Sequence, residues 1–218
     1  MYKRILVATD GSKLSDKAVQ HALARQDWRS LRWDRASRQA LQPGGVWLDL
    51  SAIAKGHAVD LVSRRLTTMG IGHSLVEVGG ELRGQGLRPD GQPWWVDLET
   101  PPAQSGQPPL PTTRVALHGL CVATSGDYRR VYTHHGQRRP HTLDPRHGQP
   151  VSHGLASVSV VHTECLWADA WSTALTVLGL QDGLALASAH GVAALFVQRE
   201  ADGRLTETLS PAMEALAE

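Results

Sequence analysis

Asp169 and Thr173 stand four residues apart in the run Ala168-Asp169-Ala170-Trp171-Ser172-Thr173-Ala174-Leu175. On a helix that spacing sets a carboxylate and a hydroxyl at neighbouring points of one face. Oxygen donors of this kind suit a hard cation such as Mg2+, which takes one or two protein carboxylates and completes its shell with water and phosphate oxygens. The same residues admit a plainer account, in which Asp169 complements the positive end of a helix and Thr173 packs. A second stretch, Ser51-Ala52-Ile53-Ala54-Lys55-Gly56, ends an apolar run in small residues whose backbone can approach a ligand closely. Free amides at a helix start there suit a phosphate, and Lys55 adds a point charge. The spacing is not that of a Walker A loop, and an ordinary strand-to-helix turn with a solvated lysine is the alternative.

Three further stretches carry polar groups. Val78-Gly79-Gly80-Glu81 reads as a strand-end turn open to a flat ring or a phosphate, or as a simple bulge. Thr124-Ser125-Gly126-Asp127-Tyr128 gathers hydroxyls and a carboxylate in what reads as a loop. His141 precedes Asp144-Pro145, where the proline biases Asp144 towards extended backbone. His134, His135 and His147 nearby read equally well as a histidine-rich surface loop. Ser125, His141 and Asp127 are the candidates for a hydrolytic triad, but no Gly-x-Ser-x-Gly elbow supports one.

The elements that must position these groups follow from periodicity. Apolar residues at 54, 58, 61, 62, 66 and 69 predict a helix over 52–69, with Gly70 where a C′ glycine belongs. A helix over 165–178 is expected to bury Leu166, Ala170, Ala174, Val177 and Leu178 and to close at Gly179, with a further helix at 182–189. Strands are predicted at 4–9, 29–33, 46–50, 74–78, 81–85, 94–99, 114–118, 157–162 and 193–198, with a last one after Asp202-Gly203. Residues 42–45 are a turn, 15–25 a helix, 101–111 a proline-rich surface loop, and 134–150 a Pro/His-rich loop. Strands and helices are intermixed, so the class is α/β or α+β with a mixed sheet.

The chain has 218 residues, 41% apolar and 20% charged, which fits a globular protein with a sizeable core. A net charge of +1 supplies no field that would gather nucleic acid or a membrane surface. Cys121 and Cys165 form no Cys-x-x-Cys pair and are expected as buried free thiols, a single disulfide being the alternative. No apolar run spans a bilayer and the first residues do not form a signal peptide, so the chain as written is expected in the cytoplasm.

Taken in order, the motifs at 48–60, 75–83, 88–94, 123–128, 141–145 and 168–174 resemble the ApbE family, the FAD:protein FMN transferases, over about residues 26–216. The resemblance implies a mixed α/β core with flanking helices and a site for FAD and Mg2+. Such enzymes move the FMN half of FAD onto a Thr or Ser of an acceptor flavoprotein subunit of a membrane redox complex and release AMP. Some members instead act as FAD pyrophosphatases, giving FMN and AMP. By the same resemblance Asp169, Thr173 and the backbone carbonyl at Ala54 are metal ligands, and Ser51, Ala54, Lys55, Gly79, Gly80, Glu81, Thr124, Ser125 and Gly126 adjoin the nucleotide. Lys55, His141 and Asp127 take the catalytic places, Lys55 at the phosphates and His141 or Asp127 as base or orienter of the attacking hydroxyl.

Ser51-Ala52 stands for the family's usual Gly-Gly, Glu81 for its Asp, and His147 for a common Thr. Residues 1–24 resemble instead the first strand and helix of universal stress proteins, with Asp10 at the nucleotide-contacting position. The expected organisation is therefore a leader at 1–25 and an N-terminally truncated ApbE-like domain at 26–218. Truncation implies an incomplete flavin pocket, uncovered apolar surface that favours self-association, and an inactive FAD-binding remnant as an alternative fate. For full-length family members the implied place is periplasmic or membrane-anchored.

Overall fold

The computed structural model describes residues 24–25, 28–41, 44–46, 48–128, 131–134, 137–140 and 142–216. The strand and helix expected within 4–25, and His141, lie outside the described residues save for a turn at 24–25. In chain order the elements are a 3-10 turn at Trp28–Ser30, strands β1 (Arg32–Asp34) and β2 (Gln39–Leu41), helix α1 (Ala54–Thr68), and strands β3 (Ser74–Val78), β4 (Glu81–Gln85), β5 (Trp94–Asp97) and β6 (Arg114–Leu117). There follow β7 (Leu120–Gly126), β8 (Val131–His134), β9 (Gln137–Pro140), β10 (Leu155–His162), helix α2 (Cys165–His190), β11 (Ala193–Arg199), β12 (Leu205–Leu209) and the short helix α3 (Pro211–Glu214).

The chain divides into two compact units, residues 1–50 with 131–151, and residues 51–130 with 152–218. In the first, β1 pairs with β2 and β8 with β9, each antiparallel. This corrects two expectations: a tight hairpin stands where a strand was expected at 29–33, and residues 137–140 are a strand inside the supposed 134–150 loop. Residues 48–50 form no strand. Asp144 organises the turn that follows, its carboxylate accepting from the Arg146 backbone at 2.8 Å and from the guanidinium. That guanidinium holds the Asp144 carboxyl down to about 2.

The second unit is built on a six-stranded sheet in the order β12-β11-β10-β7-β4-β3, and every described pairing in it is antiparallel. The expected class holds, and the antiparallel pairing places it on the α+β side. β10 lies in the middle and is buried along nearly its whole length, which is why Leu-Ala-Ser-Val-Ser-Val-Val reads as an apolar run rather than an alternation. Alternate residues serve two cores. Ala123, Val158, Val160, Ala194 and Phe196 face α2 through Ala168, Leu175 and Ala187. Val122, Val161, Leu195 and Val197 face the β5–β6 hairpin and α3 through Val96, Leu117 and Met213. Fully buried Leu175 and Phe196 each contribute about 1.5–3 kcal/mol of apolar burial.

Two turns set the site's walls. Gly79 and Gly80, at φ 64° and 98°, make the two-residue link that pairs Val78 with Glu81, a turn requiring positive φ at both centres. α1 ends as expected at Gly70 (φ 85°), with Ile71 N–H donating to Leu66 and Gly70 N–H to Thr67, both at 3.0 Å. α2 is interrupted at Gly179 (φ 82°, ψ 178°), so the expected break is present within one longer helix.

Candidate functional site

The buried face of α2 is not the apolar one anticipated. Ala174 is exposed, and Leu166 and Ala170 are only half-buried, whereas Asp169, Ser172 and Thr176 are inside. Polar groups occupy this face because each finds a partner there, which a hydropathy pattern cannot register. Asp169 Oδ2 accepts from the Gly56 amide at 3.0 Å. Ser172 donates to the Asp169 carbonyl at 3.0 Å, and Thr176 to the Ser172 carbonyl at 2.7 Å. Ser125, on β7, lies 2.9 Å from the Ser172 hydroxyl and 3.1 Å from that of Thr173.

Gly56 is in the first turn of α1, whose cap residue Ile53 offers no side-chain bond to the free amides. Asp169 takes that place from another helix. The approach is close: a Cβ on Gly56 would lie 2.1 Å from the Cys165 carbonyl oxygen. Lys55, one residue earlier, turns its ammonium to Glu81, with which it makes a direct hydrogen bond, and to Asp169 Oδ1 at 3.7 Å. Lys55 is 42% exposed while Glu81 and Asp169 are 1% and 3% exposed. Two buried carboxylates thus share one ammonium, and among the described residues Glu81 Oε2 has no hydrogen-bond partner. Burial pushes both carboxyls above the ordinary carboxylate range, against the pull of Lys55 on Glu81 and of the Gly56 amide on Asp169.

This donor set fits a hard divalent cation. The donors are oxygens only, the local formal charge is negative, and one buried carboxylate oxygen is unsatisfied. Among the described residues no group of three or more His, Cys, Asp or Glu forms a metal cluster. A cation completed by phosphate oxygens does not require one. Thr173, one turn after Asp169 on α2, lies 3.1 Å from the Ser125 hydroxyl. Ala54 opens α1 beside Lys55, and Ser51 precedes it in the turn. Gly79 packs against the Lys55 side chain, 3.3 Å from where its Cβ would stand.

The Thr-Ser-Gly-Asp stretch is the end of a strand rather than a loop, and strand alternation splits it. Ser125 points towards α2, whereas Thr124 points to the other face, 2.8 Å from the Ser159 hydroxyl. Asp127 is held in an ion pair with Arg199 at 2.9 Å. Sequence reasoning gave no role to Asp60, Arg83, Ser172 and Arg199, and read Gly56 only as part of the 51–56 turn. The one available signal was that Asp60 falls one helical turn after Gly56. Cys121 and Cys165 are buried free thiols, as expected.

The second unit is thus an antiparallel α+β fold whose two longest helices meet at a buried, oxygen-lined anionic cluster with one lysine at a helix start, a donor set that a hard cation and a phosphate would suit. A family model described as the ApbE family matches residues 5–196, and the chain belongs to that family. The likeness of residues 1–24 to stress proteins is not borne out, since the ApbE match already runs from residue 5. An FAD:protein FMN transferase of Salmonella typhimurium is 36% identical over 172 residues, 78% of this chain and 48% of that protein. The crystal structure of apo flavinyl transferase ApbE from Pseudomonas stutzeri superposes with a TM-score of 0.79 at 41% identity, covering 92% of this chain and 60% of that one. The flavin transferase ApbE of Vibrio cholerae gives 0.78 at 30% identity, covering 92% and 62%. The chain therefore spans about half the length of the curated relatives it matches.

Proposed function

We propose that this chain is a Mg2+-dependent flavin transferase, which takes FAD, moves its FMN half to a Thr or Ser hydroxyl of an acceptor flavoprotein and releases AMP. The observation that carries this reading is the pair of buried carboxylates, Asp169 and Glu81, sharing Lys55 and leaving one oxygen unmatched. Its support is the identity of 36% to a transferase of that name. Asp169, Thr173 and the Ala54 carbonyl hold the cation. Bound there, Mg2+ would supply positive charge to the pyrophosphate oxygens of the substrate.

The chain's own residues do the rest. Glu81 holds the Lys55 ammonium at the α1 start, where it faces the phosphates as a fixed charge. Ser51 and Ala54 line the turn at that start, the Gly79–Gly80 corner brings bare backbone to the nucleotide, and Ser125 and Gly126 close the β7 side. Thr124 contributes through the strand backbone, because its hydroxyl is turned away to Ser159. His141 is the base for the acceptor hydroxyl, and Asp127, tied to Arg199, orients it. The acceptor belongs to a membrane redox complex. Among the described residues no helix of this chain is long and apolar enough to cross a membrane. Exposed Leu61 and Val62 on α1, Met69 just past its end and Leu75 on the edge strand β3 support self-association.

Incubation with FAD, Mg2+ and an acceptor domain is expected to give a fluorescent, covalently flavinylated acceptor. Asp169→Ala is expected to lower the rate at least about 100-fold, in line with loss of a charge-stabilising group. Normal transfer in that variant would remove Asp169 from the metal site. AMP and free FMN without an acceptor would make the chain a FAD pyrophosphatase, and no turnover by either route would make it an inactive FAD-binding remnant.

A further inference from the structure

α2 begins without a cap of its own. Its N-cap residue, Glu164, has extended backbone and makes no side-chain bond to the first turn. The amides left open are taken by Asp60 from α1: Oδ1 accepts from Cys165 N–H at 3.0 Å and Oδ2 from Leu166 N–H at 2.9 Å. Asp60 is 4% exposed, so its charge needs a partner. Arg83 on β4 provides it, one guanidinium nitrogen lying 3.1 Å from Asp60 Oδ1, 2.7 Å from the Thr163 carbonyl and 3.1 Å from Cys121 Sγ.

The two helices therefore cap each other. Asp169 of α2 takes the Gly56 amide of α1, and Asp60 of α1 takes the Cys165 and Leu166 amides of α2. Asp60 follows Gly56 by one turn and Asp169 follows Cys165 by one turn, so the contacts form two rungs on facing sides of the helix pair. Between the rungs Gly56 brings the backbones together with no room for a side chain. The first rung spends one Asp169 oxygen and leaves Oδ1 towards Lys55. The second rung touches neither Lys55 nor Glu81, and nothing in the proposed reaction uses it.

We propose that Asp60, neutralised by Arg83, is the positioning residue of the cation site: by capping α2 from α1 it fixes the depth and rotation at which Asp169 meets Lys55 and Glu81. The idea rests on the reading of Asp169 as a cation ligand. Asp60 acts through the α2 backbone and touches neither cation nor nucleotide. Groups that orient a ligand from behind typically contribute 10–100-fold in metal affinity or activity.

The test uses Mn2+ as a paramagnetic stand-in for a hard divalent cation, titrated into the full chain and followed by electron paramagnetic resonance. Asp169→Ala serves as the control for the ligand itself. Asp60→Asn keeps the size of the side chain but one acceptor oxygen only. It is expected to weaken Mn2+ by about 10–100-fold, to speed deuterium exchange at the Gly56 amide, and to lower kcat while leaving the KM for FAD near wild type. Should Asp60→Asn fail to fold, Arg83→Lys carries the test. A lysine keeps the charge but cannot reach all three of the guanidinium's partners, so Mn2+ should weaken several-fold with the fold intact. Loss of Mn2+ in Asp169→Ala alongside wild-type affinity in Asp60→Asn, or in Arg83→Lys if that is the variant that folds, would overturn the positioning role and leave the ligand reading standing. No Mn2+ binding by the unaltered chain would overturn both.

Discussion

Asp60 and Asp169 are both buried, each accepts backbone amides from the start of the other's helix, and there the likeness ends. Around Asp60 the polar groups are matched: both oxygens are used and one guanidinium offsets one carboxylate. Around Asp169 they are not, since Glu81 adds a second carboxylate, Lys55 faces both, and among the described residues Glu81 Oε2 has no partner. A buried ion pair with every group satisfied holds a structure in one arrangement. A buried excess of carboxylate raises the free energy of the empty protein and is retained where a ligand supplies the missing charge. On the proposed reading the two rungs of one helix contact take separate roles, one structural and one chemical.

The largest effect should come from breaking both rungs together. Gly56→Ala places a methyl 2.1 Å from the Cys165 carbonyl oxygen, and backbone cannot swing aside as a flexible side chain can. The helices must part, which costs roughly 3 kcal/mol or more in a packed interior. A urea unfolding midpoint that drops sharply is the expected result. A midpoint equal to wild type would mean that the helices tolerate separation and that neither rung depends on the other.

Glu81→Gln separates the two rungs by chemistry, and its effect should have the opposite sign. The folded-state carboxyls of Glu81 and Asp169 are raised above their ordinary values of 4.5 and 3.8. Above those values the folded protein binds more protons than the unfolded chain, so the contribution of the two groups to stability is greatest at low pH. It is lost as pH rises through the raised folded values. Removing one charge should therefore make the cation-free variant more stable than wild type, by a margin that widens from about pH 4.5 upward and then levels off. Mg2+ should narrow the margin by stabilising wild type more. Thermal melts across pH, with and without Mg2+, measure both. A margin that shrinks with rising pH would contradict the unmatched-charge account.

Much of this was legible in the chain and the rest was not, for reasons of range. The α1 helix with its Gly70 terminus, the strands on either side of Gly79-Gly80, and the break at Gly179 follow from periodicity and from backbone that only glycine adopts easily. Lys55, Asp169 and Thr173 were singled out by type and spacing and Glu81 by the family resemblance, and Lys55, Glu81 and Asp169 converge directly. The buried face of α2 was misread because Ser172 and Thr176 count as exposed on any hydropathy pattern, while their partners lie within the helix itself or on β7. The capping by Asp60 was invisible because its recipients stand 105 and 106 residues further along. Local capping rules look a few residues ahead, and at Ile53 and Glu164 the local side chains make no such bond.

The smallest effect bears on whether the second unit holds any other unmatched carboxylate. Asp127 was a candidate base by the family resemblance, yet Arg199 meets it with one nitrogen at 2.9 Å and another at 3.5 Å, both side chains being about 15% exposed. The contact holds the Asp127 carboxylate as one half of an ion pair. Asp127→Asn should therefore cost about 1 kcal/mol of stability, in the range of a partly exposed pair. It should also lower transfer by less than about tenfold, below the 10²–10⁴-fold that loss of a general base brings. Its Mn2+ affinity should match wild type, because Asp127 belongs to the matched class that Asp60 represents. A loss of transfer beyond about 100-fold with the fold intact would return the base role to Asp127. That result would also show that a guanidinium beside a carboxylate does not by itself separate structural pairs from chemical ones in this protein.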